Sequence, residues 1–400
     1  MDSHPKVLIV GAGLGGLVLA QALRRYGISF EIFERDHDQL SRSQGWAILL
    51  QWILKDLITS VRRDMPPLEP VCVTYNIDMD TEFKFYDASP MKLIRRVVGR
   101  DAEGNLTSIR ANRALFRDWL STHLDIKWNK HFNRYEEAAD GVTIHFDDGS
   151  SATGDILVGA DGVHSKVRTQ LLAPTPPKLS SVRIGMIIGD VELNKEQYEH
   201  ELKMGPSMYM ARGRKYRVFN ALKSVSEDKQ SAHGYWMFSW PDKDGENHDT
   251  FWTTKASQKE LLDFALENSK DFDPNLNQLI RLTKLKDIYQ PTLHVQDWVP
   301  IDLPMGRVTL LGDAVHPMSM FRGEGGNNAM MDGINLANVL NKALAFTESM
   351  RVGIKMDVQA TLKKYEAEML ERGREAVLKS RKAAEEVDIE HYEFKGSLVS

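Results

Sequence analysis

Short apolar runs alternate with amphipathic segments near the start of the chain. Residues 7–10 form a continuous apolar run of strand length, and a glycine-rich turn separates them from an amphipathic run at residues 17–26. A second apolar run, at residues 28–33, ends on Glu34. Strand, tight turn, helix and strand in this order are typical of a β-α-β unit whose strands are parallel. The pattern therefore predicts a parallel sheet that begins with the first apolar run.

The rest of the chain shows two kinds of periodicity. Alternating or continuous apolar runs predict strands at residues 71–98 (with a break at 87–90), 142–146, 155–160, 182–188, 207–210, 216–222, 234–240 and 308–311. Helical spacing predicts helices at residues 46–58, 111–124 and 257–268, from the glycines at 323–326 onward, and from about 359 to 387. Ser257 and Glu260 form a capping box at the start of one of these helices. The strands between residues 178 and 300 predict a mostly antiparallel sheet that covers the parallel one.

Composition narrows the class of protein. The chain has 400 residues, of which 42% are hydrophobic, enough for a large core and more than one domain. A net charge of -5 without a basic stripe argues against a nucleic-acid partner. The lone cysteine, Cys72, favours a reducing compartment. The chain shows no secretory signal and no long apolar run, so we expect a soluble, cytoplasmic protein without a transmembrane segment. We expect it to be a monomer or a homodimer.

The first turn has the spacing G-x-G-x-x-G, in Gly11, Gly13 and Gly16. Gly11 allows the tight turn, Gly13 lets a pyrophosphate approach the backbone, and Gly16 lets the helix pack closely on the strand. The N–H groups at the start of the helix favour an anion there. Glu34 ends the second strand where a ribose hydroxyl would donate to it, and Arg35 is a further candidate for cofactor contact. The pattern predicts a dinucleotide-binding site, with a ligand-free glycine turn as the alternative.

Two later turns repeat this arrangement. The apolar run at residues 308–311 leads into Asp313, and the glycine cluster at 323–326 opens a helix. An acid at a strand end, followed by a helix N-terminus, suits a ribityl hydroxyl and a second phosphate. Asp161 begins a third such turn, although a single Asp-Gly pair is most often only a turn. Phosphate sites near both ends of the sequence indicate one large cofactor that is held at both of its ends.

Together these motifs resemble the class A flavin monooxygenases, the FAD-dependent aromatic hydroxylases, and in particular their salicylate-hydroxylase-like fungal branch. The family motif D-G-x-x-S-x-V-R is intact at residues 161–168, the G-D motif falls on residues 312–313, and the arginine helix matches Arg113, Arg117 and Leu120. The resemblance covers most of the chain. It implies an α/β fold with a Rossmann-like FAD-binding domain of the glutathione-reductase type, an antiparallel-sheet substrate lid domain and a C-terminal helix.

The resemblance also implies a division of the chain. The FAD-binding domain would comprise residues 1–70, 100–172 and 301–346, the substrate domain residues 71–99 and 173–300, and the C-terminal helical region residues 347–400.

Cofactor contacts follow from the same resemblance. Asp313 is expected to bind the ribityl chain of FAD, Arg113 to contact FAD, and Asp161 and Arg168 to contact both FAD and the cosubstrate, NADPH or NADH. Further FAD contacts are implied for Arg42, Gly45, Gly323, Gly325, Gly326 and Asn327. NADPH is expected to be the faster donor if Arg42 or Arg168 meets its extra phosphate. His316 lies in the same motif, which implies a role in loop structure.

Three positions depart from the family pattern. Phe116 replaces the usual leucine of the arginine helix. Gly333 stands where relatives usually have alanine, which should loosen its helix slightly, since glycine costs about 1 kcal/mol there. Met320 stands where relatives have a proline beside the reactive edge of the flavin, so a flexible thioether is expected to line that pocket.

The implied chemistry belongs to the cofactor. In the family, NAD(P)H reduces FAD, O2 adds to the reduced flavin, and the resulting C4a-hydroperoxide inserts one oxygen atom into an electron-rich ring. The expected substrate is a phenolic or polyketide-derived aromatic of secondary metabolism, and no metal is expected. Baeyer–Villiger oxidation or epoxidation of a polyketide or terpenoid uses the same cofactor and stays open. A simple NAD-dependent dehydrogenase would leave the motifs at Asp161 and Asp313 unexplained.

Side chains of the lid supply the candidates for substrate contact. Its bulky residues predict an apolar wall, although alternate residues of a strand must also fill the sheet core. These residues are Met204, Met208, Tyr209, Met210, Tyr235, Trp236, Met237, Phe238 and Trp240. The candidates for acid and base assistance are Arg183, Tyr209, Arg212 and Tyr235. An arginine near a phenol would lower the pKa of that phenol through its opposite charge.

Overall fold

The computed structural model describes residues 5–41, 45–242, 251–349, 356–385 and 398–399. The strands in these ranges are β1 (Val7–Val10), β2 (Phe30–Phe33), β3 (Ala47–Leu50), β4 (Glu82–Ala88), β5 (Met91–Val98), β6 (Ile109–Asn112), β7 (Ile126–Lys127), β8 (Phe132–Glu137), β9 (Val142–Phe146), β10 (Ser151–Gly154), β11 (Ile156–Gly159), β12 (Ser180–Ser181), β13 (Ile184–Asn194), β14 (Met208–Arg212), β15 (Arg217–Val225), β16 (Ser231–Pro241), β17 (Gln296–Asp297), β18 (Val308–Leu310) and β19 (Leu398–Val399). The helices are α1 (Leu14–Tyr26), α2 (Leu54–Ser60), α3 (Arg113–Ser121), α4 (Lys166–Leu171), α5 (Lys195–Met204), α6 (Trp252–Lys255), α7 (Gln258–Asn268), α8 (Gln278–Leu282), α9 (Gly325–Ser349) and α10 (Val358–Glu385).

A five-stranded parallel sheet forms the first layer, in the order β18-β11-β1-β2-β7. Every residue of β1 and β11 is buried, as expected for parallel strands that are covered on both faces. The α/β, Rossmann-like architecture predicted from the sequence is confirmed. A small antiparallel sheet, β10-β9-β8, contributes Val142, Ile144 and Phe146 to the same core.

Glycines allow α1 and α9 to cross closely on this sheet. A Cβ atom at Gly333 would lie 2.8 Å from the carbonyl oxygen of Gly15, and one at Gly15 would lie 2.8 Å from the carbonyl oxygen of Ala329. Gly333 therefore permits a backbone contact between two helices. This close approach explains glycine at a position where the sequence suggested only a looser helix.

A seven-stranded sheet forms the second layer, in the order β13-β16-β15-β14-β4-β5-β19. Its pairs are antiparallel except for β14 with β4, which run parallel. Side chains alternate between its faces. One face forms a core with α5, α7 and α8, to which Tyr209, Trp236 and Phe238 contribute. The other face turns toward the parallel sheet.

A two-stranded ribbon, β3 with β6, differs from what the sequence predicted. The helix expected at residues 46–58 is a strand, Ala47–Leu50, followed by the short helix Leu54–Ser60. The helix expected to begin at residue 111 is preceded by β6, whose residues pair with β3. A short apolar run does not reveal by its periodicity whether it is a strand or a helix. Here the pairing between two segments that are distant along the chain, Ala47 with Asn112 and Leu50 with Ile109, decides in favour of strands.

Among the described residues, none of the helices combines the length and apolar character that a membrane crossing requires.

Candidate cofactor and substrate site

The glycine turn between β1 and α1 leaves space for a ligand at one position, Gly13. Gly11 has a φ of 114°, and a Cβ atom there would lie 2.2 Å from the carbonyl oxygen of Ala160. A Cβ atom at Gly16 would lie 2.1 Å from the carbonyl oxygen of Gly11, so both glycines are required by close packing. At Gly13, which precedes the first turn of α1, no atom lies within 4 Å of a Cβ position. An anion can therefore approach the helix N-terminus there.

Glu34 is fixed beside this turn. Its side chain is 4% exposed, and its Oε2 accepts a hydrogen bond from the N–H of Ala12 at 2.8 Å. The other oxygen accepts from the N–H of Asp36 at 3.1 Å. Because a carboxylate oxygen accepts more than one hydrogen bond, this orientation is compatible with a ribose hydroxyl. Arg35 is exposed at the next position, and Arg42 lies outside the described residues.

Two arginines of α3, Arg113 and Arg117, lie near this turn. They are on one face of the helix because they are four residues apart. Arg117 is 3% exposed, and its Nε donates to the carbonyl oxygen of Ala12 at 3.1 Å. Its guanidinium also lies over the ring of Trp128, 5.3 Å from the centroid. Arg117 thus holds the glycine turn in place. Arg113, at the helix start, lines a cavity together with Gly45.

The motif at residues 161–168 supports the opposite side of the turn. Asp161 accepts hydrogen bonds from the hydroxyl of Ser165 at 2.5 Å and from the N–H groups of Lys166 and Val167, and so caps α4. Burial raises the pKa of Asp161, and these hydrogen bonds oppose that rise.

Arg168 is 4% exposed, and its guanidinium binds backbone oxygens. It donates to the carbonyl oxygens of Ala314 at 2.9 Å, Asp313 at 3.3 Å and Val163 at 2.6 Å. Trp298 covers it, with its ring centroid 5.3 Å away. The guanidinium therefore holds the loop after β18, and it does not form the surface site that the extra phosphate of NADPH would need.

Asp313 lies at the end of β18 and faces the cavity. Gly312 precedes it with a φ of 60°, a conformation that favours glycine. Although Asp313 is exposed on the cavity side, the surrounding protein desolvates its carboxyl and raises the pKa, while the positive charges of His316, Arg113 and Arg168 oppose that rise. Because the side chain is accessible from the cavity, its carboxyl is a suitable acceptor for a hydroxyl of a bound ligand.

His316 belongs to a buried ionic network beneath this loop. Its Nε2 lies 2.7 Å from Asp332 of α9, and Asp332 also accepts from the Nη2 of Arg372 of α10 at 2.7 Å. Burial alone would lower the pKa of His316, but the charge and hydrogen bond of Asp332 raise it overall. The N–H of Gly312 donates to the same carboxylate at 2.7 Å. His316 therefore fixes the loop that presents Asp313.

The glycine cluster at the start of α9 forms the far side of the site. Gly323 has a φ of 62°, and Gly325 and Gly326 line the cavity. Asn327 is fully buried, and its amide bonds to the backbone of β3 and the residue after it: Nδ2 donates to the carbonyl oxygen of Leu49 at 2.9 Å, and Oδ1 accepts from the N–H of Gln51 at 3.2 Å. Its side chain thus joins α9 to β3 and does not line the cavity.

A cavity of about 470 Å³ lies between these loops and the seven-stranded sheet. Its lining combines the two layers of the fold. The lining residues are Gly45, Trp46, Ala47, Ile48, Leu49, Phe83, Arg110, Arg113, Met186, Met208, Met210, Arg217, Phe219, Tyr235, Met237, Ser239, Asp313, Met318, Ser319, Met320, Phe321, Arg322, Gly323, Gly325 and Gly326. The volume is within the range of small-molecule sites, and the wall is mostly apolar.

The structure brings one of the four catalytic candidates to this cavity. Tyr235 lines it, whereas Tyr209 points to the opposite face of the sheet and donates to Glu201 at 2.8 Å. Arg212 forms an ion pair with Asp87 at 2.8 Å, and Arg183 is exposed at the edge of the sheet.

The predicted apolar wall is divided between the two faces of the sheet. The residues that face the cavity are Met208, Met210, Tyr235 and Met237, and those that form the core on the other face are Tyr209, Trp236, Phe238 and Trp240.

Sequence reasoning missed three buried arginines of the cavity, which are Arg110, Arg217 and Arg322. Arg110 comes from β6, a segment predicted as loop and helix, so its direction could not be inferred. Arg217 begins β15 and donates to the carbonyl oxygens of Ala383 and Ala384 at the end of α10, at 2.8 and 2.9 Å. A cation at a helix C-terminus is favourable, so Arg217 anchors α10 beside the cavity. The alternation of β15 was the one signal available for Arg217.

Arg110 contacts Tyr235 directly. Its Nη2 donates to the hydroxyl oxygen of Tyr235, and its Nη1 lies 3.1 Å from the sulfur of Met208. Burial raises the pKa of Tyr235, and the positive charge of Arg110 opposes that rise. Because the pKa of a phenol is already about 10 before this rise, Tyr235 keeps its proton near pH 7.

Comparisons with known protein families agree with this geometry. Residues 106–379 match the model of a FAD-binding domain, and residues 9–41 match that of an NAD(P)-binding Rossmann-like domain. The FAD-dependent monooxygenase thnD of Trichoderma harzianum is 37% identical over 388 residues, which cover 94% of this chain and 92% of thnD. The FAD-dependent monooxygenase dbaB of Emericella nidulans is 31% identical over 349 residues, with 83% and 85% coverage.

Solved structures share the whole architecture. A variant of HpxO from Klebsiella pneumoniae, complexed with FAD, is 25% identical, has a TM-score of 0.74 and is matched over 97% of this chain and 91% of its own. Salicylate hydroxylase in a substrate complex, 20% identical, has a TM-score of 0.70 with 96% and 89% coverage, which shows the same fold.

Proposed function

Because the chain belongs to the FAD-dependent monooxygenases of the aromatic hydroxylase class, we propose that it uses NAD(P)H and O2 to insert one oxygen atom into a phenolic or polyketide-derived aromatic substrate. The observation that carries this proposal is the cavity, which joins Arg113, Asp313 and the glycines at the start of α9 to an apolar sheet face. The relatives thnD and dbaB are fungal proteins, which supports a role in secondary metabolism.

Residues that suit separate parts of FAD support this proposal. Gly13 leaves the N-terminus of α1 open for the pyrophosphate, and Glu34 is oriented beside it for a ribose. Asp313 would bind the ribityl hydroxyls, and Gly45 with Gly325 leaves room for the ring system at the cavity floor. Once bound, FAD supplies electron transfer from NAD(P)H and the activation of O2.

The protein's own part is to hold the substrate and exclude water. Met208, Met210 and Met237 provide an adaptable apolar wall for a flat ring. Tyr235 supplies a hydroxyl at the same wall, and Arg110 fixes that hydroxyl. We assign Tyr235 as the catalytic candidate, because it alone of Arg183, Tyr209, Arg212 and Tyr235 lines the cavity.

The experiment is an assay of NADPH and NADH oxidation by the purified protein with a panel of phenols, anthraquinones and ketones. We expect a yellow protein with non-covalent FAD, substrate-dependent oxidation of the nicotinamide, and a product that has gained one oxygen atom. The position of that atom, found by NMR, separates ring hydroxylation from Baeyer–Villiger oxidation or epoxidation. A colourless protein that oxidises no nicotinamide under any of these conditions would contradict the proposal.

A further inference from the structure

Methionine is concentrated in the wall of the cavity. Among the described residues, six of the 17 methionines of the chain line it, and these are Met186, Met208, Met210, Met237, Met318 and Met320. Four belong to strands of the seven-stranded sheet, and two belong to the loop between Asp313 and Gly323. Both layers of the fold therefore place thioether sulfurs at the space where the cofactor and the substrate are proposed to meet.

These six methionines differ in accessibility. Three are at most 6% exposed, and these are Met186, Met208 and Met210. The sulfur of Met208 also lies 3.1 Å from the Nη1 of Arg110, so a hydrogen bond engages one of its lone pairs. The other three are partly exposed, and we call them the open methionines: Met237, Met318 and Met320. An oxidant in the cavity can therefore reach the open methionines more readily than the enclosed ones.

The open methionines lie on both sides of the proposed cofactor position. A Cβ atom at Gly325 would lie 3.6 Å from the Cγ of Met318 and 4.0 Å from the Oδ1 of Asp313. Met318 is thus beside the carboxyl that is proposed to bind FAD. Met320 of the loop and Met237 of the sheet pack against the same apolar cluster. An oxidant that forms at the cofactor is released into a space whose wall contains these sulfurs.

We propose that the open methionines are sites of oxidation to methionine sulfoxide by hydrogen peroxide that forms in the cavity. This proposal rests on the proposed function, because the peroxide arises when NAD(P)H and O2 are consumed and no substrate accepts an oxygen atom. In each step the sulfur attacks one oxygen of H2O2, the O–O bond breaks, an S–O bond forms and water leaves. The sulfur is oxidised by two electrons, and the peroxide is reduced by the same two.

This modification changes the chemistry of the cavity wall. A thioether is apolar and flexible, whereas a sulfoxide is polar and accepts hydrogen bonds. An apolar ring that covers a polar group without pairing it loses binding free energy, so the oxidised cavity should bind a neutral aromatic compound about tenfold more weakly. Methionine sulfoxide reductases reverse the reaction. A protein that consumes NAD(P)H without substrate therefore lowers its own affinity for substrate until it is reduced.

The test compares peroxide that forms inside the cavity with peroxide that is added from outside. The FAD-loaded protein consumes NADPH and O2 without substrate, in the presence of catalase, which destroys any peroxide that escapes. Peptide mass spectrometry then locates each added oxygen atom. We expect oxidation at the open methionines ahead of Met305, which is 67% exposed, and the reverse order when peroxide is added to the resting protein. Oxidation of Met305 first under both conditions, or none at the open methionines, would overturn the proposal.

A variant separates the sulfurs from the shape of the wall. Replacement of Met237, Met318 and Met320 together by leucine keeps a similar apolar volume and removes the sulfur. The probe is 2-naphthol, titrated against the visible flavin spectrum before and after the same NADPH consumption. The parent should lose about tenfold in affinity and regain it with methionine sulfoxide reductases, whereas the variant should stay within about twofold. Met305→Leu is the matched control and should behave like the parent.

The outcomes separate this proposal from the proposed function. Equal losses of affinity in the parent and in the triple variant would contradict a role of the open methionines. A protein that oxidises no NADPH would contradict the monooxygenase proposal instead. The methionines are then tested without NADPH, by reducing the FAD-loaded protein with dithionite, removing the dithionite by gel filtration and re-oxidising the flavin in air with catalase present. The same mass spectrometry decides between the open methionines and Met305.

Discussion

At the level of single residues, the polar groups around the cavity divide into those that hold the protein together and those that face a ligand. The side chains of Arg117, Arg168 and Asn327 donate hydrogen bonds to backbone carbonyl oxygens of neighbouring segments. Asp313 and Tyr235 face the cavity. The sequence motifs marked both kinds alike, because a motif records which residue type occurs and not which way its side chain points.

The first prediction concerns Asp313. Its replacement by alanine should leave the fold intact and weaken FAD binding about tenfold to a hundredfold, because a hydrogen bond to a charged group contributes roughly 1.5–3 kcal/mol. The measurement is the ratio of flavin to protein absorbance after gel filtration, with the dissociation constant of added FAD. Asp87→Ala, which removes a partly exposed carboxylate on the seven-stranded sheet, is the control. Full flavin retention in the Asp313 variant would show that Asp313 does not contribute to FAD binding.

The second prediction concerns Glu201, on the face of the lid sheet away from the cavity. Burial raises its pKa to about 7 from 4.5, although hydrogen bonds from Tyr209 and Gln278 oppose that rise. The folded protein then keeps a proton that the unfolded chain releases between these values, so stability falls as pH rises through this window. The loss should reach roughly 3 kcal/mol above pH 7, because one pKa unit corresponds to about 1.4 kcal/mol.

Glu201→Gln should remove this dependence. Urea unfolding of both proteins at pH 5, 6, 7 and 8 gives the measurement. The variant is expected to gain stability relative to the parent as the pH rises. Parallel pH profiles in the two proteins would mean that Glu201 stays ionised in the folded state.

At the level of elements, the sequence predicted long periodic segments well and short apolar ones poorly. The capped helix after Ser257 and the long helix α10 occur nearly as expected. The segment at 46–58 is predicted as one helix, yet Ala47–Leu50 is a strand. The helix predicted at 111–124 is present as Arg113–Ser121, but it begins two residues later because Ile109–Asn112 pairs with β3. That pairing brings Arg110 into the cavity. The error in the element and the missed residue therefore have one cause, a contact between segments distant along the chain.

The third prediction concerns the crossing of α1 and α9. Gly333→Ala would place a methyl group 2.8 Å from the carbonyl oxygen of Gly15 and 2.8 Å from the nitrogen of Leu19. Overpacking of this kind costs about 1–3 kcal/mol, which outweighs the gain of about 1 kcal/mol in helix propensity. Ala343→Gly in the same helix measures the propensity effect alone. Thermal unfolding of both variants decides, and a stabilised Gly333→Ala protein would show that the helices can move apart.

At the level of the whole molecule, the cavity is a product of both layers. Gly45, Asp313, Met320 and the glycines at the start of α9 come from the parallel-sheet side, while Tyr235 and the methionines of β13, β14 and β16 come from the seven-stranded sheet. The division into a FAD-binding domain and a substrate lid stays a proposal at the boundaries expected from the sequence. Only the cavity's cofactor side carried sequence motifs. The strands of the lid side showed only an alternation of residues. Alternation predicts that side chains point to two opposite faces of the sheet, but it does not indicate which face lines the cavity.

The fourth prediction concerns Met320, which lines this shared cavity. Proline is compatible with the backbone here, because Met320 is the first residue of a 3-10 turn and Ser319 has an extended conformation, φ -66° and ψ 156°. Met320→Pro should replace a flexible wall by a rigid one and lower the hydrogen peroxide formed per NAD(P)H consumed, with FAD affinity near that of the parent. Peroxide and product are measured together in both proteins. An unchanged ratio at normal flavin content would show that this wall does not limit water access.

The strand order of the parallel sheet has a consequence for the growing chain on the ribosome. Val7 of the central strand pairs with Ile156, and Leu157 of that partner pairs with Val308. At a synthesis rate of about 5–20 residues per second, one edge of β11 stays unpaired for roughly eight to thirty seconds until β18 is made. Asp313 is synthesised after β18. FAD therefore cannot bind at Asp313 and stabilise the sheet while β11 waits for β18. Translation arrested at residue 300 should therefore yield chains that aggregate or remain bound to chaperones whatever the supply of flavin, since an open strand edge recruits other strands.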